Sequence, residues 1–297
     1  MVGQRQWNRR IAAFVFLLPA LLGLLAFQLL PMMSSVVISF TDWDLLTNWT
    51  KMHFVGWSNY AEVFREEKSY TAIKNVFVFL IGYMPSLAVL GVFLAVLLNR
   101  SLPGIKAYRA AVFVPVITSW VAVSIVWRWI LNGQSGLLNY LLSRIGIQGP
   151  IWLQDDTWAM VAIIAVTVWK DLGFVALILL AGLQDISEDY YEAAELDGAS
   201  AWRKLWSVTL PMLSPTLYFV VTISLINSFQ LFDQVLIMTN GGPAGATSTI
   251  VEQVYKNAFQ FNKMGFAAAQ SWVLFAIILA VTMLLQRLQR RWVIYER

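Results

Sequence analysis

"YYEAAELDGASAWRKLWSVTLP", residues 190–211, interrupts a chain otherwise made of apolar runs. Together with the residues just before it, it gathers six acidic side chains, Asp185, Glu188, Asp189, Glu192, Glu195 and Asp197, into one short connection. Ser187 stands where a helix N-cap belongs, ahead of Glu188 and Asp189, whose carboxylates favour the positive end of a helix dipole. The helix predicted from there runs to about Asp197. Gly198 then supplies a stop, because glycine enters positive φ without a Cβ clash. A second short helix is expected from Ala199 until Pro211 breaks into the next apolar run. The product is a helical elbow with Ala193, Ala194, Ala199 and Ala201 around its bend. Small side chains there admit another backbone, and Glu192 and Glu195 stand ready to pair with cations on whatever approaches.

On either side of the elbow the sequence is built for lipid. Apolar runs near 11–40, 76–98, 110–131, 158–183, 210–238 and 266–285 each suffice to cross about 30 Å of hydrocarbon, which takes roughly 20 helical residues. Of 297 residues 59% are apolar and 13% charged, and the mean hydropathy is +0.64. These values mark an integral membrane protein rather than a soluble domain. The expectation is an all-α, polytopic protein of six transmembrane helices, one domain over residues 1–297, with the polar loop 185–209 between the fourth and fifth spans. The first run follows Arg5, Arg9 and Arg10 in the manner of a signal peptide. It is far longer than the roughly 7 to 15 apolar residues of such a segment and has no A-x-A-like site, so it reads as a span.

Composition also excludes several functions. Cysteine is absent and His53 is the single histidine, so no disulfide framework, thiolate metal site or histidine cluster is available. The formal charge is only +4, spread along helix flanks, which argues against a nucleic-acid partner and for a lipid one. Lysine and arginine set the orientation. With the N-terminus cytoplasmic, twelve lie inside (Arg5, Arg9, Arg10, Arg100, Lys106, Arg109, Arg203, Lys204, Arg287, Arg290, Arg291, Arg297) and seven outside. Both termini and the elbow are therefore predicted to be cytoplasmic. Trp43, Trp49, Trp57, Trp152 and Trp158 fall near the outer boundaries and Trp7 and Trp292 near the inner one, as interface anchors do.

The spacing within the elbow resembles a family signature. Glu192-Ala193-Ala194, three residues, Gly198, nine residues, Val208, one residue, then Leu210-Pro211 is similar to the EAA motif of binding-protein-dependent ABC importer permeases. Val208 replaces the family's usual isoleucine, a volume-similar change. Three further stretches, "SFTDWD" (39–44) with "FVGWSNYAEVF" (54–64), "FDQVLIMTNGGPAGAT" (232–247) and "GFAAAQS" (265–271), resemble the carbohydrate-uptake permeases. They resemble in particular the subunit type of the maltose transporter's larger membrane protein and the glycerol-3-phosphate transporter's first permease. The EAA motif alone would not separate sugar from amino-acid or phosphate importers.

The resemblance implies a type I importer permease of a bacterial inner membrane, working by alternating access. It implies a coupling helix carrying Glu192, Ala193, Ala194, Glu195, Asp197, Gly198 and Ala199. The implied partners are a second homologous permease, two copies of a cytoplasmic ATPase that uses ATP and magnesium, and an extracytoplasmic sugar-binding protein. The chain itself has no G-x-x-x-x-G-K-[ST] segment, so no nucleotide cofactor and no catalytic role is assigned to it.

Polar residues inside spans are expensive and face cavities or partner helices. The fourth run carries Thr167, Trp169, Lys170 and Asp171, and the fifth carries Ser224, Asn227, Ser228, Gln230 and Asp233. Positions 224, 227, 228 and 231 share one face at helical spacing. Ser224, Asn227 and Ser228 thus present neutral donors and acceptors to a sugar, with Trp120 and Phe174 available to stack on its apolar face. Thr167, Asp171 and Gln230 complete the predicted path, and placement by the resemblance adds Val116 and Leu231. The bland alternative is that Ser and Asn bond their own backbone, while Lys170 and Asp171 neutralise charge on a partner permease. Arg128 is expected to snorkel to the outer interface, Asn240-Gly241-Gly242-Pro243 to form a turn, and Gly265, Ala267, Ala268 and Ala269 to pack closely against a helix. A secondary transporter is the competing class, but it calls for internal repeats, and no second copy of the 190–211 pattern exists in the chain.

Overall fold

A computed structural model describes residues 14–100 and 103–294; Arg5, Trp7, Arg9, Arg10 and Arg297 lie outside them. The helices in chain order are α1 (Phe14–Ser39), α2 (Ser58–Arg65), α3 (Glu67–Leu98), α4 (Ile105–Ile117), α5 (Trp120–Ile130), α6 (Leu137–Arg144) and α7 (Trp158–Gln184). They continue as α8 (Glu188–Leu196), α9 (Ala201–Met212), α10 (Ser214–Phe229), α11 (Asp233–Met238), α12 (Ile250–Tyr255) and α13 (Met264–Gln289). Among the described residues there is no named strand, only an isolated bridge between Thr41 and Phe54.

Four helices, α1, α3, α7 and α13, are long and apolar enough to cross a membrane unaided. Two further spans are bent pairs: α4 with α5 at 96° and α9 with α10 at 66°. Counting each pair as one crossing gives the six predicted spans, but the third and fifth are not the straight helices expected from runs 110–131 and 210–238. In the third, Thr118 and Ser119 are both extended. Pro115 has no N–H to continue the ladder, and the Thr118 hydroxyl donates to the Val114 carbonyl at 3.0 Å in place of the next amide.

In the fifth span the break falls at Leu213 rather than at Pro211. Residues Leu205–Thr209 form one wide π turn, closed by the Leu210 amide on the Leu205 carbonyl. Pro211 follows that turn as the second residue of the closing segment Leu210–Met212. Pro215 lies in the first turn of α10, where its missing amide is not needed, and the Ser214 hydroxyl donates to the Pro211 carbonyl at 2.6 Å. The span also stops early: α10 ends at Phe229, and α11 is a separate short helix.

The chain forms two compact units. One holds residues 1–65 and 254–273. Here the stretches 39–44, 54–64 and 265–271 meet. The Asn59 amide donates to the Ser39 and Thr41 carbonyls, and the Gly265 amide donates to the Trp43 carbonyl at 3.0 Å. A Cβ on Gly265 would run into the Thr41 carbonyl oxygen, so this glycine is demanded by close approach.

The other unit holds residues 66–253 and 274–297, and α7 is its axis. Phe79, Tyr83 and Leu87 of α3 pack against Ile163, Val175 and Leu179 of α7. Gly91 lets α3 approach, since a Cβ there would stand 2.6 Å from Cγ1 of Val175. On α7, a Cβ at Gly173 would collide with the Val112 carbonyl of α4. More than half of the most apolar stretch of α7 is buried, against none of that of α1. An apolar helix that buries nothing within its own chain has lipid or a partner as its solvent.

Candidate functional site: a polar cavity and a helical elbow

Both candidate features lie in the second unit. A cavity of about 280 Å³ opens among α3, α5, α7, α10 and the start of α11. Its lining combines four aromatic residues, Phe79, Tyr83, Trp120 and Phe232, with Thr167, Asp171, Asn227, Ser228, Gln230, Asp233 and Gln234. The break in the third span places Trp120 there, because α5 starts afresh at that residue after the extended pair Thr118 and Ser119. Lys170 pins the same break. Its ammonium donates to the Val116 carbonyl at 3.2 Å and sits 4.7 Å from the centre of the Trp120 ring, a cation–π contact that fixes the indole. One residue on, Asp171 accepts the Tyr83 phenol hydrogen at 2.7 Å, tying α7 to α3. Aromatic faces beside neutral and acidic oxygens suit a polyhydroxylated ligand, which offers apolar C–H faces and many hydroxyl donors.

The elbow is a second, self-contained construction. Ser187 caps α8 by accepting the Asp189 amide at 3.3 Å. At the other end Gly198 has φ +73, the Gly198 amide donates to the Glu195 carbonyl, and the Ala199 amide donates to the Ala194 carbonyl, both at 2.9 Å. This bonding pattern is a Schellman stop. Ser200 then caps α9 through the Arg203 amide. Two contacts close the bend: Lys204 donates to Glu195 at 2.5 Å, and the Tyr191 and Thr209 hydroxyls meet at 3.2 Å. The Lys204 hydrogen bond, reinforced by its charge, holds the Glu195 carboxyl below the usual carboxylate range. Leu196, Trp202 and Trp206 remain exposed on the elbow.

Residues 60–295 match the family described as binding-protein-dependent transport system inner membrane component. The chain belongs to that family. The permease is 34% identical to the probable ABC transporter permease protein YesP of Bacillus subtilis, over 96% of this chain and 93% of that protein. It is 32% identical to the trehalose/maltose transport system permease protein MalF of Thermococcus litoralis, over 93% of each. Its fold matches a solved bacterial alginate ABC transporter, in complex with an alginate pentasaccharide-bound periplasmic protein, at TM-score 0.85. That likeness covers 97% of this chain and 96% of the other at 23% identity. The protein is thus the membrane-spanning permease of an ABC importer, with the type I importer architecture.

Of the predicted path residues, the permease brings Trp120, Thr167, Asp171, Asn227, Ser228 and Gln230 to one cavity. Phe174 and Ser224 do not line it: Phe174 is exposed, and Ser224 is buried behind the lining, its side chain hydrogen-bonded to the Tyr83 hydroxyl. Leu231 lines the cavity as expected, but from beyond the end of α10 rather than from a continuous helical face. Two hydroxyls are already used on their own helices, Thr167 on the Ile163 carbonyl and Ser228 on the Ser224 carbonyl, so toward a ligand they act as acceptors. Lys170 is spent on Val116 and Trp120 within the chain. Arg128 donates to the Ile237 carbonyl at 3.3 Å instead of reaching freely to an interface.

Phe79, Tyr83, Phe232 and Gln234 escaped the sequence reading. The first two sit in a run whose polar side chains are only Tyr83 and Ser86. Gln234 lies inside the predicted fifth run but off the face of 224, 227, 228 and 231, and beyond the end of α10 at Phe229. In the elbow, the pairing of Glu195 with Lys204 replaces the expected availability of Glu195 to an approaching cation, while Glu192 stays exposed.

Proposed function

We propose that this permease moves a sugar or sugar-derived solute, delivered by an extracytoplasmic binding protein, through the cavity between α3, α5, α7 and α10. The observation that carries this reading is the cavity's lining, where Trp120, Phe79 and Tyr83 stand beside Asn227, Gln230, Asp171 and Asp233. The sugar-transport name of the Thermococcus litoralis relative supports the same cargo class. A second homologous permease completes the pathway, and two copies of a cytoplasmic ATPase use ATP and magnesium, so hydrolysis belongs to the partner and not to this chain. The elbow is the coupling helix: Glu192, Ala193, Ala194, Glu195, Asp197, Gly198 and Ala199 form the bend that docks on the ATPase. Exposed Leu196, Trp202 and Trp206 support docking, because apolar side chains clustered outside the spans call for a protein or interfacial cover. Both termini and the elbow are cytoplasmic in a bacterial inner membrane, and transport proceeds by alternating access.

The test is ATPase activity of the reconstituted complex with its binding protein, screened against mono-, di- and oligosaccharides, polyols and glycerol phosphates. Stimulation by one carbohydrate class is expected. Activity that ignores every carbohydrate while the binding protein is functional would discard the sugar and keep the importer.

A further inference from the structure

Resting on the sugar reading, the charge of the cavity narrows its cargo. Two lining side chains are carboxylates, Asp171 and Asp233, and no lysine, arginine or histidine lines the cavity. Lys170, adjacent in sequence, is held on the Val116 carbonyl and on the Trp120 ring. Asp171 uses one oxygen on the Tyr83 hydroxyl, and Asp233 makes no side-chain hydrogen bond among the described residues. A separate observation points to a ligand. Gln234 is 5% exposed and lines the same cavity, yet its amide has no hydrogen-bond partner among the described residues. Buried amides are ordinarily paired, and one that faces an open cavity is paired by what enters it.

We infer that Asp171 and Asp233 are specificity-determining residues that restrict the cargo to sugars without an anionic group. Their oxygens accept from sugar hydroxyls or from an amino sugar's ammonium, and Gln234 both donates and accepts. A uronate, sulfonate or phosphate brings like charge into a low-dielectric site already holding two carboxylates, where repulsion at a few ångströms is strong.

The experiment is equilibrium binding of a glycan panel to the complete transporter in detergent, without the binding protein, so that the binding protein's own selection does not enter. The panel pairs neutral and amino-bearing oligosaccharides (maltotriose, chitosan trimer) with anionic ones of similar length (trigalacturonate) and with sugar phosphates. Binding confined to neutral and amino-bearing members is expected. In Asp171→Asn/Asp233→Asn, the ratio of anionic to neutral affinity should rise at least about tenfold. Because the readout is a ratio within one preparation, partial loss of folded protein does not imitate it. An anionic glycan bound by the unmodified transporter as tightly as its neutral counterpart would overturn the inference while leaving sugar transport standing. A ratio unmoved by the double variant would remove the two carboxylates from selectivity. Binding of no glycan of any charge would instead remove the sugar reading itself.

Discussion

The elbow and the cavity are built in opposite ways. Everything that shapes the elbow, from the Ser187 cap to the meeting of Tyr191 with Thr209, lies within residues 187–209. The cavity draws on residues spread from Phe79 to Gln234, and two of its walls depend on where helices start and stop, at Trp120 and at Phe229. A local motif writes itself in consecutive residues, since caps and stops act over one turn. A cavity is the space left where helices fail to pack, and it depends on every helix around it.

The largest effect that separates the two regions should come from α7. Gly173→Val places a side chain where the Val112 carbonyl stands, and overpacking of this kind costs about 1–3 kcal/mol or more. The variant should accumulate poorly in membranes and lose thermal stability in detergent, as followed by fluorescence-detected chromatography on heating. A stable, abundant variant would mean that the cavity walls are less interdependent than the contact implies.

Gly198→Val should give the complementary result, with normal accumulation and lost coupling. A Cβ at Gly198 meets nothing within 4 Å, so the penalty is the left-handed backbone alone, about 1–2 kcal/mol for a residue with a side chain. Transport-coupled ATPase should fall at least about tenfold, while Gly198→Asn, which tolerates that conformation, retains most of it. Equal loss in both variants would shift the cause from backbone to contact with a partner.

Trp120→Ala tests the cavity without touching the elbow. Loss of an aromatic platform worth about 0.5–1.5 kcal/mol should raise the transport KM several-fold, to about tenfold. ATPase activity in the absence of cargo should move far less.

The smallest effect belongs to Lys204→Ala, which removes the half-buried partner of exposed Glu195. Because the folded carboxyl titrates lower than an ordinary one, the pair contributes above the usual carboxylate range and its contribution fades as pH falls through the lowered value. Hydrogen exchange of residues 188–204 should therefore quicken slightly in the variant near neutrality, where the pair is formed, and the difference from wild type should vanish as pH falls through the carboxylate range. Exchange that loosened strongly near neutrality would make the ion pair a structural clasp rather than a surface contact.

Sequence alone determined that this is an all-helical membrane protein and where its helical elbow lies. Both are written in composition and in short-range spacing: apolar runs of membrane length, a capping serine, and Gly198 after α8. Six of the eight residues predicted to line a path do line the cavity, because a polar side chain in an apolar run is conspicuous and Trp120, Asp171 and Ser228 stand out on that ground. Only the tertiary structure decided which of them meet. Ser224 and Phe174 belong to the right helices but do not line the shared space: Phe174 is exposed, and Ser224 is bonded to Tyr83 behind it. Tyr83 and Gln234 enter it because α3 packs on α7 and because the fifth span ends at Phe229. The bends at Thr118–Ser119 and Leu213 were invisible to a hydropathy window. Apolar content carries no record of where a hydroxyl replaces an amide on a backbone carbonyl, as Thr118 does at Val114, or of where a helix starts afresh, as α5 does at Trp120 on the cavity wall.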